Sequence, residues 1–85
     1  MEEKYAEIIR ERIRSLCGQR GISIYQLADM SGLSRTTIES FLNKRSYNPR
    51  LMTIHKIAHG FSMTLPEFLN FEEFNSFSFE DNTND

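Results

Sequence analysis

The stretch from residue 24 to residue 43, IYQLADMSGLSRTTIESFLN, constrains the fold of this chain more than any other. Its pattern predicts two short helices joined by a tight turn. Leu27 and Ala28 fall on the inward face of the first helix, and the Ser31-Gly32 pair ends it. Ser34 is positioned to open the second helix. We therefore expect helices at 24–31 and 35–43 that pack against each other.

Local signals mark both helix starts. Ser23 is followed three residues later by Gln26, the spacing of a capping box in which each side chain satisfies a free backbone donor. Ser34 stands in the corresponding position before the second helix. Gly32 suits the left-handed backbone that a tight interhelical turn requires. The two helices and their turn are thus encoded locally.

Apolar residues at spacings of three and four predict three further helices, over residues 2–19, 52–61 and 65–71. Thr64 and Glu67 form a second capping box at the last of these. Beyond residue 71 the signal weakens: the alternation over 76–80 is typical of a short strand, whereas phenylalanines at spacings of three could extend the last helix. We expect a helix end followed by an extended tail.

The charge is unevenly distributed along the 85 residues. Residues 1–66 carry all 10 Lys and Arg with six acids, a net charge of +4, and residues 67–85 carry six acids and no base, a net charge of −6. The overall −2 therefore hides a basic head and an acidic tail. A basic head is compatible with a nucleic-acid partner.

Composition also excludes several classes of protein. The single cysteine, Cys17, cannot form an internal disulfide and fits a reducing compartment. No apolar run approaches the roughly 20 residues that a membrane span needs. The charged N-terminal stretch is unlike a signal peptide, so we expect a cytoplasmic protein with no membrane partner.

No constellation of residues indicates catalysis or a cofactor. His55 and His59 lie four apart on a predicted helix, the spacing of two ligands to one metal, but no third ligand accompanies them. A solvated helix face is the better interpretation. Phosphate-binding glycine loops and nucleophile motifs are missing as well. We expect no enzymatic activity, no cofactor and no metal.

The order of these motifs resembles the Cro/lambda-repressor-like (XRE) family of helix-turn-helix proteins. The resemblance covers residues 9 to 69 and rests on Ile13-x-x-Leu16, Gly21-Ile22-Ser23, Leu27-Ala28, Ser31-Gly32-Leu33-Ser34, Thr37-Ile38, Asn48-Pro49 and Thr53-Ile54-x-Lys56-Ile57-Ala58. It implies an all-α, five-helix, lambda-repressor-like DNA-binding domain, with helices 2 and 3 as the helix-turn-helix and a short acidic, Phe-rich C-terminal extension. In this family the second helix of the motif lies in the major groove of DNA.

The resemblance also implies which residues meet DNA. Base contacts would come from the start of the third helix, with Arg35 foremost because its planar fork matches the paired acceptors of guanine. A phosphate contact is the alternative for Arg35. The full set of base-contact candidates is Arg35, Thr36, Ser40, Thr37 and Glu39. Phosphate contacts are expected from Ser23, Asn43, Lys44, Arg45, Ser46, Tyr47 and Arg50.

The sequence departs from the family pattern at two places. Many relatives begin helix 2 with a glutamine that binds a phosphate, and here Ile24 takes that position. Relatives also often join helix 1 to helix 3 by an Arg–Glu pair, where this chain has Cys17 and Leu42. A hydrophobic contact is expected to replace that salt bridge, a change that is often neutral or stabilising.

The phenylalanine-rich tail has three interpretations. We expect a DNA-binding domain over residues 1–70 and a tail over residues 71–85 that forms a dimer interface with Phe68, Phe71, Phe74, Phe77 and Phe79. Alternatively, the tail folds back over its own helices, or its acids cover the basic face and weaken DNA binding.

Taken together with the charge pattern, the resemblance implies a transcriptional repressor whose homodimer binds a palindromic operator in double-stranded DNA. The alternative is a protein-interaction module, such as an antitoxin, that binds a partner protein through its tail.

Overall fold

Six helices make up the part of the chain that the computed structural model describes, residues 2–43 and 48–80, and no strand occurs there. They are α1 (Glu2–Arg20), α2 (Ile24–Ser31), α3 (Arg35–Asn43), α4 (Leu51–Gly60), α5 (Leu65–Leu69) and α6 (Glu72–Asn75). The first four lie within one residue of their predicted bounds. No helix in these ranges is long and apolar enough to cross a membrane.

Side-chain caps fix the starts of α2 and α5 as predicted. The Ser23 hydroxyl accepts a hydrogen bond from the backbone N–H of Gln26 at 3.1 Å, and the side-chain oxygen of Gln26 accepts one from the Ser23 N–H at 2.8 Å. Thr64 and Glu67 repeat this reciprocal pair at 3.2 and 2.8 Å. Both capping boxes are confirmed, and each satisfies two backbone donors that a helix start leaves without intrahelical partners.

The turn between α2 and α3 depends on Gly32. Its φ of 72° lies in the left-handed region, and the next residue, Leu33, donates from its N–H to the Ala28 carbonyl at 2.9 Å. This geometry ends α2 and redirects the chain into α3, as the sequence predicted. Any other residue at position 32 would strain the backbone because a side chain disfavours positive φ.

One hydrophobic core joins the helices. α2 packs on α3 and α4, α4 packs on α5, and α1 lies against α2. The predicted burial of Cys17 and Leu42 is confirmed, and burial raises the pKa of the Cys17 thiol. The buried cluster comprises Ile9, Ile13, Leu16, Cys17, Leu27, Ala28, Ile38, Phe41, Leu42, Ile54, Ile57, Ala58, Phe61 and Phe68.

α2 and α4 pack closely where Gly60 faces Ser31. Ser31 is buried, and its hydroxyl has no hydrogen-bond partner among the described residues. A Cβ added to Gly60 would overlap the Ser31 Oγ and lie 3.2 Å from the Leu27 Cδ1. The absence of a side chain at position 60 therefore sets the spacing of these two helices.

Two arginines of α1 hold the C-terminal end of α3. The Arg10 side chain is 2% exposed, and its Nε donates to the Phe41 carbonyl at 2.8 Å. Arg14 donates to the Leu42 carbonyl, also at 2.8 Å. The last carbonyls of a helix lack intrahelical partners and carry the negative end of its dipole. A guanidinium therefore stabilises this end both by its hydrogen bond and by its positive charge.

Two further arginines of α1 do the same for α5 and α4. Arg12 donates to the carbonyls of Phe68 and Glu67 at 2.9 and 3.2 Å, and Arg20 donates to the Phe61 carbonyl. Burial, and secondarily the charge of Arg20, lower the pKa of Arg12. Four of the ten bases of the chain thus hold helix ends, a role that the sequence did not reveal.

The tail differs from its prediction. α5 ends at Leu69 rather than Phe71, the one-turn helix α6 follows, and no strand forms over 76–80. The helix count of five and the extended tail are therefore corrected to six helices with a short final turn. After α5, the carbonyl of Phe71 accepts from both the Phe74 and Asn75 N–H groups, which starts the new turn.

Within residues 71–80 the tail folds back onto α1. The Tyr5 ring of α1 lies 5.7 Å from Phe74, 5.3 Å from Phe77 and 5.7 Å from Phe79, measured between ring centroids. Such tilted and edge-on arrangements stabilise aromatic pairs beyond simple burial. Of the three interpretations of the tail, this arrangement matches the one in which it covers its own helices.

Candidate nucleic-acid interface

The first turn of α3 presents the leading base-contact candidates to solvent. Arg35 and Thr36 are exposed, and Thr37 is half-buried. Ser34 caps the helix by accepting from the Thr37 N–H at 3.0 Å, and its hydroxyl donates to the Thr37 Oγ1 at 2.8 Å. Thr37 therefore contributes to the cap, while Arg35 and Thr36 extend outward from it.

The next turn of α3 divides between the core and the surface. Ile38 and Phe41 are buried, as predicted for the inward face. Glu39 and Ser40 are half-buried and lie at the margin. All five predicted base-contact residues thus retain some exposed surface, greatest at the start of the helix.

Tyr25 of α2 links two of these candidates. Its ring lies under the Arg35 guanidinium, 4.9 Å from centroid to Cζ, and its hydroxyl donates to the Glu39 Oε2 at 2.5 Å. The hydrogen bond to Glu39 is the main cause of a raised Tyr25 pKa. Sequence reasoning missed this residue, although an aromatic at the second position of α2 was a visible signal.

The predicted phosphate contacts are only partly within the described residues. Ser23 is exposed but uses its oxygen in the capping box, and Asn43 is exposed at the end of α3. Arg50 is exposed immediately before α4 and makes no side-chain cap to it. The predicted Lys44, Arg45, Ser46 and Tyr47 lie outside the described residues.

Ile24, at the start of α2, is half-buried and packs against the core. It therefore stabilises the helix-turn-helix from the position where relatives carry a phosphate-binding glutamine. Its neighbour Tyr25 supplies the exposed polar group at this end of α2.

The two histidines considered as metal ligands lie on the surface of α4. His55 and His59 are both exposed on α4. Within residues 2–43 and 48–80, no group of three or more His, Cys, Asp or Glu side chains could hold a metal ion.

A capped helix pair with an exposed first turn on its second helix is the arrangement of helix-turn-helix DNA-binding proteins. The family model of the Cro/C1-type HTH DNA-binding domain matches residues 12–73. The chain therefore belongs to this family of DNA-binding regulators. A search of curated proteins gave no match.

A solved structure supports the same fold. The prophage Lp1 protein 11 matches with a TM-score of 0.74 and 25% sequence identity, over 85% of this chain and 95% of that one. The match extends the similarity beyond the helix-turn-helix to most of the helical domain.

Proposed function

We propose that this chain is a sequence-specific repressor that binds a palindromic operator as a homodimer, with α3 of each copy in the major groove. The observation that carries the proposal is the first turn of α3, where Arg35 and Thr36 are exposed beside a helix start that Ser34 caps. A pair of such helices on one face of DNA would occlude a promoter.

Base reading and backbone positioning fall to different residues. Arg35 would read guanine through its paired donors, and the Thr36 methyl would meet a thymine methyl. Thr37, Glu39 and Ser40 complete the proposed base-reading set. Ser23, Asn43 and Arg50, together with residues 44–47, would contact phosphates and fix the register of α3 in the groove.

The proposed dimer would use the side of the molecule where α1, the start of α4 and the tail border a groove. A groove of about 350 Å³ lies there, lined mainly by apolar residues. Leu51 and Phe79 border it and are 69% and 56% exposed, unusual for such large side chains. Phe71, Phe74 and Phe77 are half-buried and keep some surface to contribute.

Phe68 stands apart from the other proposed dimer residues. Its side chain has no exposed surface, and its ring stacks on Phe61 at 6.2 Å inside the core. An interface contact by Phe68 would require the core to open, so its role in this conformation is to pack α5.

The second candidate function is a protein-interaction module, such as an antitoxin, in which the same tail binds a different protein. The exposed Phe79 beside the apolar groove favours it. Sedimentation of the full chain and of Phe79→Ser separates the cases: a dimer that the substitution dissociates supports the homodimer, and a monomer at all concentrations contradicts it.

The function itself is tested by selecting bound sequences from a random DNA duplex pool at near-physiological salt. Enrichment of a palindrome with half-sites about 10 base pairs apart is the expected result. Arg35→Ala should then relax the preference at one position of each half-site. Equal recovery of all sequences would contradict the proposal and favour the interaction module.

As a DNA-binding regulator, the protein would act in the cytoplasm.

A further inference from the structure

The contact between Arg35 and Tyr25 bears on how the DNA-reading surface is built. Arg35 lies in the first turn of α3, where the positive end of the helix dipole disfavours a cation. The Tyr25 ring offsets this effect, since the face of an aromatic ring attracts a guanidinium. The Arg35 Cζ lies 4.9 Å from the ring centroid, so the guanidinium stacks on Tyr25 of α2.

Glu39 would be the natural competitor for Arg35. The two are four residues apart on one helix, a spacing at which opposite charges commonly pair. In the described residues, however, no ion pair joins them: the salt bridges there are Arg10–Glu7 and Arg14–Glu11. The Tyr25 hydroxyl donates to the Glu39 carboxylate instead.

Tyr25 therefore keeps a donor and an acceptor apart on the same surface. No group in the described residues accepts a hydrogen bond from the Arg35 guanidinium, so its fork is available to a base. The Glu39 carboxylate uses one oxygen on Tyr25 and retains lone pairs on both. An ionised carboxylate accepts hydrogen bonds only, which suits the amino groups of cytosine and adenine and rejects the acceptor edge of guanine.

We propose that Tyr25 is a positioning residue that sets the base preference of this protein, its ring orienting Arg35 toward guanine and its hydroxyl holding Glu39 toward an amino-bearing base. This rests on the proposed function, because it specifies how the same surface selects its operator. Tyr25 acts through its two neighbours and does not itself read a base.

The test compares wild type with Tyr25→Phe, Tyr25→Leu, Arg35→Ala and the double variant Tyr25→Leu/Arg35→Ala. Each is titrated with the duplex selected by the wild type and with single-base variants of it. Tyr25 is 38% exposed, so we expect all four variants to fold, and a circular dichroism melt of each confirms it.

Arg35→Ala should reduce discrimination at its guanine by about tenfold or more, the range of a lost bidentate contact. Tyr25→Leu should reduce discrimination at the same base to nearly the same extent. The double variant should lose no more than Arg35→Ala alone, because the ring acts only through Arg35. Tyr25→Phe keeps the ring and should retain the guanine preference while relaxing the position that Glu39 reads.

A readout without DNA accompanies these titrations. The Tyr25 ring current should shift the Arg35 Hδ resonances upfield in wild type and Tyr25→Phe, and the shift should vanish in Tyr25→Leu. Unshifted Arg35 protons in the wild type would show that the stack does not form in solution and would overturn the inference.

The titrations distinguish two failures. If the wild type selects an operator and Tyr25→Leu weakens binding to every sequence equally, Tyr25 is a phosphate contact and the inference is wrong while the proposed function stands. If the wild type selects no sequence at all, the proposed function fails and this inference fails with it.

Discussion

The arginines of α1 and the arginine of α3 use the same side chain for opposite purposes. Arg10 is almost fully buried and donates to the Phe41 carbonyl, whereas Arg35 is exposed and rests on a tyrosine ring. The difference arises from what lies within reach: α1 crosses the C-terminal ends of other helices, and the start of α3 faces solvent. Net charge along a sequence therefore overstates the charge available to DNA, because part of it holds helix ends.

This comparison predicts that stability and DNA binding separate cleanly between the two regions. Arg10→Ala should lower the free energy of unfolding by about 3 kcal/mol, since it removes a buried, charge-assisted hydrogen bond to the Phe41 carbonyl together with packed methylenes. Arg35→Ala, the matched control, should change it by no more than roughly 0.5 kcal/mol. Urea denaturation monitored by circular dichroism measures both, and equal losses in the two variants would contradict the division of roles.

A second prediction concerns the core region alone. Gly60→Ala should cost about 2 kcal/mol of stability, because the new methyl overlaps the Ser31 hydroxyl and overpacks the α2–α4 contact. Ser31→Ala removes a buried hydroxyl that has no hydrogen-bond partner in the described residues and should be neutral or stabilising.

The double variant Ser31→Ala/Gly60→Ala gives the control for this clash. It should recover part of the loss, but not all of it, because the Leu27 Cδ1 remains 3.2 Å from the new Cβ. Additive effects of the two substitutions would mean that the new methyl at position 60 does not clash with the Ser31 hydroxyl. Below their melting temperatures, these variants should select the same operator as the wild type.

An intermediate case sharpens the comparison. Arg12 is half-buried and donates to the carbonyls of Phe68 and Glu67, so Arg12→Ala should cost about 1 kcal/mol, between Arg10→Ala and Arg35→Ala. Urea denaturation again provides the measurement. If Arg12→Ala lowered the free energy of unfolding as much as Arg10→Ala does, the contribution of each arginine to stability would not depend on its burial.

Features of the fold that depend on residues close together in the sequence could be predicted from it, and features that depend on distant residues could not. Helix bounds in the helix-turn-helix depend on Ser23, Gly32 and Ser34, whose partners lie within five residues, and they were predicted closely. The carbonyl that Arg10 reaches is 31 residues away and depends on how α1 docks. No spacing in the sequence encodes that distance.

The same reasoning applies to the candidate site and the tail. The family resemblance indicated the candidate residues at the start of α3, but Tyr25 lies on a different helix, and the turn between α2 and α3 brings it to Arg35. In the tail, the phenylalanine spacing fitted either a helix or a strand. Contact with Tyr5, more than 60 residues earlier, accompanies the short turn that forms.

The smallest predicted effect tests the link between Tyr25 and Glu39. Because the hydrogen bond to Glu39 requires a protonated hydroxyl, it raises the Tyr25 pKa above its ordinary value of 10.0. A raised pKa means that the contribution to stability is present below pH 10 and is lost as the pH rises through the folded-state value. Glu39→Gln should return the Tyr25 pKa toward its ordinary value.

Absorbance of tyrosinate on titration with base measures this shift, and Tyr25→Phe identifies which of the three tyrosines is responsible. Glu39→Gln keeps a hydrogen-bond acceptor but removes the negative charge, so it isolates the ionic part of the effect. If Tyr25 titrated identically in wild type and Glu39→Gln, the carboxylate would not be held by the hydroxyl. Arg35 and Glu39 would then be free to pair with each other, and the surface of α3 would present a neutralised pair in place of a separate donor and acceptor.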